Sequence, residues 1–330
     1  MQLPYVHLED YQHLKNQMPI GFKRLKAIFS ATGWFQEEGL KLLAAQKQKE
    51  GVLRIGMQHG GYPYGNGESY YVEYERSLLD FFLTWGWKHD QGDIPFIAFK
   101  FSLQKNRAAL NAHKQDEILY ICTSSGKFYP DEFAGPSGEQ FEEFYFSDQF
   151  RLIKELNVAN RKKMVIRLYP RENFYGWNHQ QKLESLEMDL RFDNSMPLPK
   201  AIQRAKLVVC DNFYSTFTEA LILEVPTILF VNTDLDKLNG EFLKLFQQMR
   251  EVGIAHTSTI SAAKHIQIVG DAPDIWWNST EVVQIRKAYL EEYGRVSANP
   301  VDNLVKEITK IISDDKPMSI GRQTATAKTL

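Results

Sequence analysis

Gln58-His59-Gly60-Gly61, with Tyr64 just beyond, sets an imidazole between a polar side chain and glycines. Those glycines let a ligand or another stretch of backbone approach closely. A neutral imidazole so placed can take a proton from a hydroxyl; the alternative is a ring that only braces its loop. Glu68, Glu73 and Glu75 follow. Glu68 stands at the start of an expected helix, where the dipole alone stabilises a carboxylate. Glu68 and Glu75 rank behind His59 as proton acceptors, or as carboxylates that orient it. Gln58, Gly60, Gly61 and Tyr64 are then the groups nearest an acceptor substrate.

Three further segments suit phosphate. Ser124-Ser125-Gly126 is a turn of the kind that cradles anions, although such turns are common. Arg167-Leu168-Tyr169-Pro170-Arg171 offers guanidinium forks, against the alternative that both arginines pair with Glu172 or Asp189. The third runs from an apolar Leu207-Val208-Val209-Cys210 through Asp211-Asn212-Phe213-Tyr214 to Ser215-Thr216, Glu219 and the apolar run 226–230. It reads as strand, polar turn, helix and strand. A helix opened in this way presents backbone N–H groups and hydroxyls to a phosphate, and Glu219, one turn in, reaches an attached ribose diol. The plainer alternative is that Ser215 or Thr216 merely caps the helix.

Other chemistries lose ground. Asp234-Leu235-Asp236 has the form of a metal-binding DxD, but at the polar exit of a strand it reads as a turn with a helix cap. There is no CxxC or HxxxH pairing for zinc, no GxGxxG and no P-loop lysine, so neither a metal nor a cofactor is expected. The two cysteines, Cys122 and Cys210, end apolar runs and read as buried reduced thiols. A net charge of −2 with 24% charged residues does not suit a nucleic-acid binder. The acidic, apolar-poor start is no signal peptide, and no apolar run is long enough to span a bilayer. The reading is cytoplasmic, with peripheral contact at the inner membrane face left open.

The elements that position these residues alternate between strand and helix. Strands are expected at 26–30, 52–57 and 80–86 with helices over 34–49 and 68–79, and a further strand at 95–101. A second series has strands at 117–122, 164–168, 207–210 and 226–230, with helices over 138–156, 179–188, 240–252, 280–293 and 301–312. That order builds parallel sheets with covering helices. With 330 residues there is room for two domains: 1–115, and 116–312 with its last helix free to cross back. Residues 313–330 read as a disordered tail. Two Rossmann-like halves facing across a cleft is the expected α/β architecture, and ligands in such sheets bind beyond the carboxyl ends of the strands.

The Gly56-Met57-Gln58-His59-Gly60-Gly61…Tyr64-Gly65 loop, Leu83-Thr84-Trp85-Gly86-Trp87, Arg167-Leu168-Tyr169-Pro170 and the Asp211…Thr227 segment together resemble transferases of bacterial lipopolysaccharide and surface-carbohydrate loci. The resemblance spans about 26–230. It extends to the GT-B glycosyltransferases, including CDP-glycerol polymerases and bacterial sialyl- and Kdo-transferases. It implies His59 as the catalytic base, with Arg167 to Pro170 and Ser215-Thr216 on the nucleotide phosphates. Tyr169 stands where those relatives have histidine, which leaves arginine and helix dipole to steady a leaving phosphate. What it implies for function is inverting, metal-independent transfer of a sugar, first a nonulosonic acid or Kdo from a CMP donor, then UDP- or CDP-linked donors, to a saccharide or lipid-linked acceptor. The N-terminal half looks short for a GT-B domain, so a compact version and one completed by a partner polypeptide or second copy both stand. A nucleotide-sugar epimerase or hydrolase of the same fold, and a non-catalytic subunit of a carbohydrate assembly complex, are the rivals.

Overall fold

The computed structural model describes residues 8–17, 24–61, 70–107, 114–124, 127, 138–170, 176–232, 238 and 240–314. They form two parallel sheets. The first holds β1 (Ala27–Ser30), β2 (Leu53–Met57), β3 (Phe81–Thr84) and β4 (Asp93–Pro95), side by side in chain order. The second holds β5 (Ile118–Ile121), β6 (Met164–Arg167), β7 (Arg191–Phe192), β8 (Leu207–Cys210), β9 (Thr227–Phe230) and β10 (Ala255–His256). Its order is β7-β6-β5-β8-β9-β10, and β5 pairs with β8 in the register Ile121↔Cys210. The direction of winding reverses between those two strands, which opens a crevice beyond Ile121 and Cys210.

β8 is buried along its whole length, as expected of a central parallel strand with helices on both faces. Its side chains alternate: Val208 and Cys210 join one core cluster, Leu207 and Val209 the other. Cys122 lies in the second cluster and Cys210 in the first, so the sheet separates two thiols whose strands are neighbours. Both are free and buried, as the sequence led us to expect.

The two sheets meet tightly. Trp85, Ala98 and Phe101 from the first half pack with Ile222 from the second. Gly86 has φ +139°, and a Cβ there would stand 2.3 Å from the Glu291 carbonyl oxygen. The Pro300–Asp314 helix returns to the first sheet, where Leu304, Ile308 and Ile311 cover Ile55, Met57 and Leu83. Among the described residues no helix is long and apolar enough to cross a membrane.

Two expected elements differ. The helix over 34–49 is broken at Glu37, whose backbone is extended between Gly33–Gln36 and Glu38–Lys47. The run 95–101 is no strand: β4 stops at Pro95, and Phe99–Arg107 is helical. Its buried residues are Phe96, Ile97, Ala98 and Phe101, with Ser102 following, a run that does not alternate as a half-buried strand would. The Ala98 N–H goes to the Arg295 carbonyl at 2.6 Å, not to a strand ladder. The 315–330 part of the tail and Asp234-Leu235-Asp236 lie outside the described residues.

Candidate active site

The His59 loop leaves β2 at the carboxyl end of the first sheet. Gln58 fixes it from beneath. Its side chain is buried, donates to the Gly60 carbonyl at 2.7 Å, and accepts from the Trp85 N–H at 3.0 Å and the Trp87 indole at 2.8 Å. Gln58 is therefore committed to shaping the loop, not to a substrate. Gln58→Ala would leave the buried Trp85 and Trp87 donors without acceptors, each worth roughly 1–3 kcal/mol. We expect a loss of stability of about 3 kcal/mol by chemical denaturation.

His59 is half-buried, and its Nδ1 lies 2.9 Å from the Ala31 carbonyl at the end of β1. A carbonyl only accepts, so Nδ1 carries the proton and Nε2 is the basic nitrogen. Burial pushes the imidazole below its ordinary 6.5, with the Ala31 bond acting the other way. Burial thus favours the uncharged ring. Glu75 is wholly buried on the Tyr70–Ser77 helix. Tyr64 and Glu68 lie outside the described residues, as do Ser125, Gly126 and Arg171.

The loop touches the second half directly. The Gly61 N–H donates to Ser215 Oγ at 3.2 Å, and a Cβ on Gly61 would stand 2.8 Å from Tyr214 C and 2.9 Å from Ser215 N. Ser215 begins the Ser215–Ile222 helix, whose N-cap is Tyr214, and no side chain caps it. Ser215 is the first helical residue and not the N-cap, and its hydroxyl receives the Gly61 N–H. The Ser215 hydroxyl faces the His59 loop, and the helix start, which has no capping bond from the Tyr214 side chain, lies against Gly61.

Among the described residues, three buried polar atoms here have unmet hydrogen-bonding capacity. Glu219 is 5% exposed and its Oε1 has no partner. Burial raises its carboxyl from an ordinary 4.5 to about 7, against the pull of Lys100. The folded protein thus holds a proton between pH 4.5 and 7 that the unfolded chain releases, and stability falls as pH rises through that window. Glu219→Gln should melt higher than the parent at pH 8 and no higher at pH 4; equal melting at pH 8 would refute the buried charge. Arg167, at the end of β6, gives one nitrogen to the Met196 carbonyl at 2.8 Å, while Nη1 is buried with no acceptor. Glu172 lies outside the described residues, and among them Asp189 makes no ion pair with Arg167; burial lowers the guanidinium and Asp193 acts in the opposite sense. Tyr169 is half-buried and Pro170 exposed just beyond the strand, and the Ser124 hydroxyl is buried without a partner.

The sequence reading passed over the residues behind the crevice. Asp211, 8% exposed, accepts from the Thr123 N–H at 3.1 Å, Asn212 Nδ2 at 3.0 Å, the Tyr145 hydroxyl at 2.6 Å and Gln149 Nε2 at 2.9 Å. Burial raises its carboxyl to about 6, and those bonds pull it back. His179 Nε2 lies 2.6 Å from Gln149 Oε1, so the ring donates and fixes the amide; burial takes the imidazole down to about 3. A signal existed: Gln149 sits on the apolar stripe formed by Phe146, Leu152 and Ile153. Among the described residues no group of three or more His, Cys, Asp or Glu is placed to hold a metal ion.

Residues 1–308 match the model of the LIC12162 family transferases. The chain belongs to that family. Comparison with curated proteins gives no match. Among solved structures, S. aureus MnaA, determined with UDP, aligns over 97% of this chain and 84% of its own, at 11% identity and TM-score 0.55. A candidate UDP-N-acetylglucosamine 2-epimerase of Listeria monocytogenes aligns over 88% and 75%, at 10% identity and TM-score 0.51. The spinosyn rhamnosyltransferase SpnG aligns over 93% and 76%, at 13% identity and TM-score 0.48. At such identities the likeness is one of fold. This transferase has the GT-B-like architecture of two parallel α/β sheets that its sequence led us to expect.

Proposed function

We propose that this family member transfers a sugar from a nucleotide donor to a saccharide or lipid-linked acceptor. The observation that carries the reading is the Gly61–Ser215 contact, which sets a neutral histidine beside an uncapped helix end. His59 Nε2 takes the proton of an acceptor hydroxyl as its oxygen attacks the anomeric carbon. The bond to the nucleotide's phosphate oxygen breaks on the far side, with inversion. The departing phosphate is received by the helix N–H groups, Ser215, Thr216 and the open nitrogen of Arg167, with no metal in the step. Glu219 accepts from the ribose. The donor we place first is a CMP-linked nonulosonic acid or Kdo, with UDP- and CDP-linked sugars next. The acceptor would belong to a surface polysaccharide or lipopolysaccharide, met at the inner membrane face.

Calorimetric titration with CMP, CDP, UDP and GDP tests this. We expect one of them to bind in the micromolar range; if all four fail, the transferase reading of this crevice fails with them. Incubating the preferred nucleotide sugar alone separates the nearest rival, since an epimerase or hydrolase consumes donor without an acceptor.

A further inference from the structure

The crevice is bordered by two loops from different strands. One is Thr123-Ser124 after β5; the other is 211–214 between β8 and the Ser215–Ile222 helix. Each carries a group suited to an anion: the partnerless Ser124 hydroxyl on one, the uncapped helix end on the other. Their spacing decides whether both can reach a single phosphate, and a carboxylate sets that spacing. Asp211 takes the Thr123 N–H from the first loop and the Asn212 side-chain amide from its own, while Asn212 Oδ1 receives the Tyr214 N–H at 2.9 Å.

Tyr145 closes the ring from behind. Its hydroxyl gives its single proton to Asp211 at 2.6 Å and receives the Thr123 N–H at 2.8 Å, so one peptide group is shared between the tyrosine and the carboxylate. The ring stacks on Phe141 at 4.0 Å and is buried. It is presented by a π-helical turn, Phe141–Tyr145, of the kind proteins keep at functional positions. Gln149 supplies the last donor to Asp211. Four donors thus converge on two carboxylate oxygens, and among the described residues no cation pairs with Asp211. The carboxylate's task is the geometry of the two loops.

We propose that Asp211 and Tyr145 are positioning residues for the donor's phosphate, holding the two loops at the one separation that lets both grip it. This rests on the nucleotide-sugar reading above. The experiment is calorimetric titration of Tyr145→Phe and Asp211→Asn, in the full chain, with the nucleotide that binds the parent best. Tyr145→Phe keeps the stacked ring and removes only the hydroxyl. We expect its Kd to rise about tenfold, the scale of one charge-assisted hydrogen bond, with stoichiometry unchanged. In turnover, KM for the donor should rise in step while kcat stays within threefold. A merely structural role would instead lower the binding-competent fraction and leave Kd alone, and that result would overturn the proposal. Asp211→Asn should weaken binding further; if it does not fold, Tyr145→Phe decides by itself. A parent protein that binds no nucleotide defeats the transferase reading, whereas a parent that binds and a Tyr145→Phe that binds equally well defeat only this proposal.

Discussion

His59→Ala is expected to lower kcat about a thousandfold, the usual scale for removing a general base, while the nucleotide Kd stays within twofold. The separation follows from position. His59 hangs from the Ala31 carbonyl in the first half, whereas the groups proposed for the nucleotide lie in the second. Burial holds the imidazole below 6.5, so the acid limb of kcat/KM should fall below pH 6.5, and the residual activity of the variant should lack it. Steady-state rates from pH 5 to 8 read both quantities. Turnover that survives the substitution would move the base to another group, with Glu68 next in line, or make the chain a non-catalytic subunit.

Gly61→Ala should be nearly as damaging, although it removes no functional group. The new methyl would meet Tyr214 C and Ser215 N at under 3 Å, and backbone cannot step aside as a flexible side chain can. The loop and the helix start would have to separate, which breaks the Gly61–Ser215 bond and displaces His59 from the phosphate turn together. A misplacement of about 1 Å costs on the order of a hundredfold in rate, and we expect at least that loss in kcat/KM. The clash falls on the backbone of Phe213 to Ser215, and Phe213 belongs to the main buried cluster, so the melting temperature should fall as well. A fully active Gly61→Ala would mean that the contact opens during turnover.

Much of this was legible in the chain because its central strands are short apolar runs ended by polar turns. Leu207-Val208-Val209-Cys210 followed by Asp211-Asn212 admits few readings, and the helix and strand after it were equally plain. The helix Thr259–Val269 was not, since apolar residues stand on both of its faces: Ala262, Ala263, Ile266 and Val269 are buried while Ile260 and Ile268 are exposed. Leu198–Arg204 was missed for a related reason: it is short and opens on a proline, which reads as a loop. At the site, residue types were visible but pairings were not. Nothing local ties Gly61 to Ser215, and Gln58 looked like a substrate ligand until its three bonds to the loop and the tryptophans were seen. Asp211 carried no local mark of its own, because its meaning depends on Thr123 and Tyr145 arriving from another strand and another helix.

A ribosome making this chain has synthesised all four strands of the first sheet long before Leu304, Ile308 and Ile311 exist to cover them. Until then Ile55, Met57 and Leu83 have no lid, and the residues facing Gly86 and the Ala98 N–H are also still unmade. The first half therefore waits for the last helix, and its sheet is the stretch most in need of protection from sticking to other chains. The two halves should then melt together in one transition, and cutting the chain after Tyr293 should cost the first half its solubility before it costs the second half its fold.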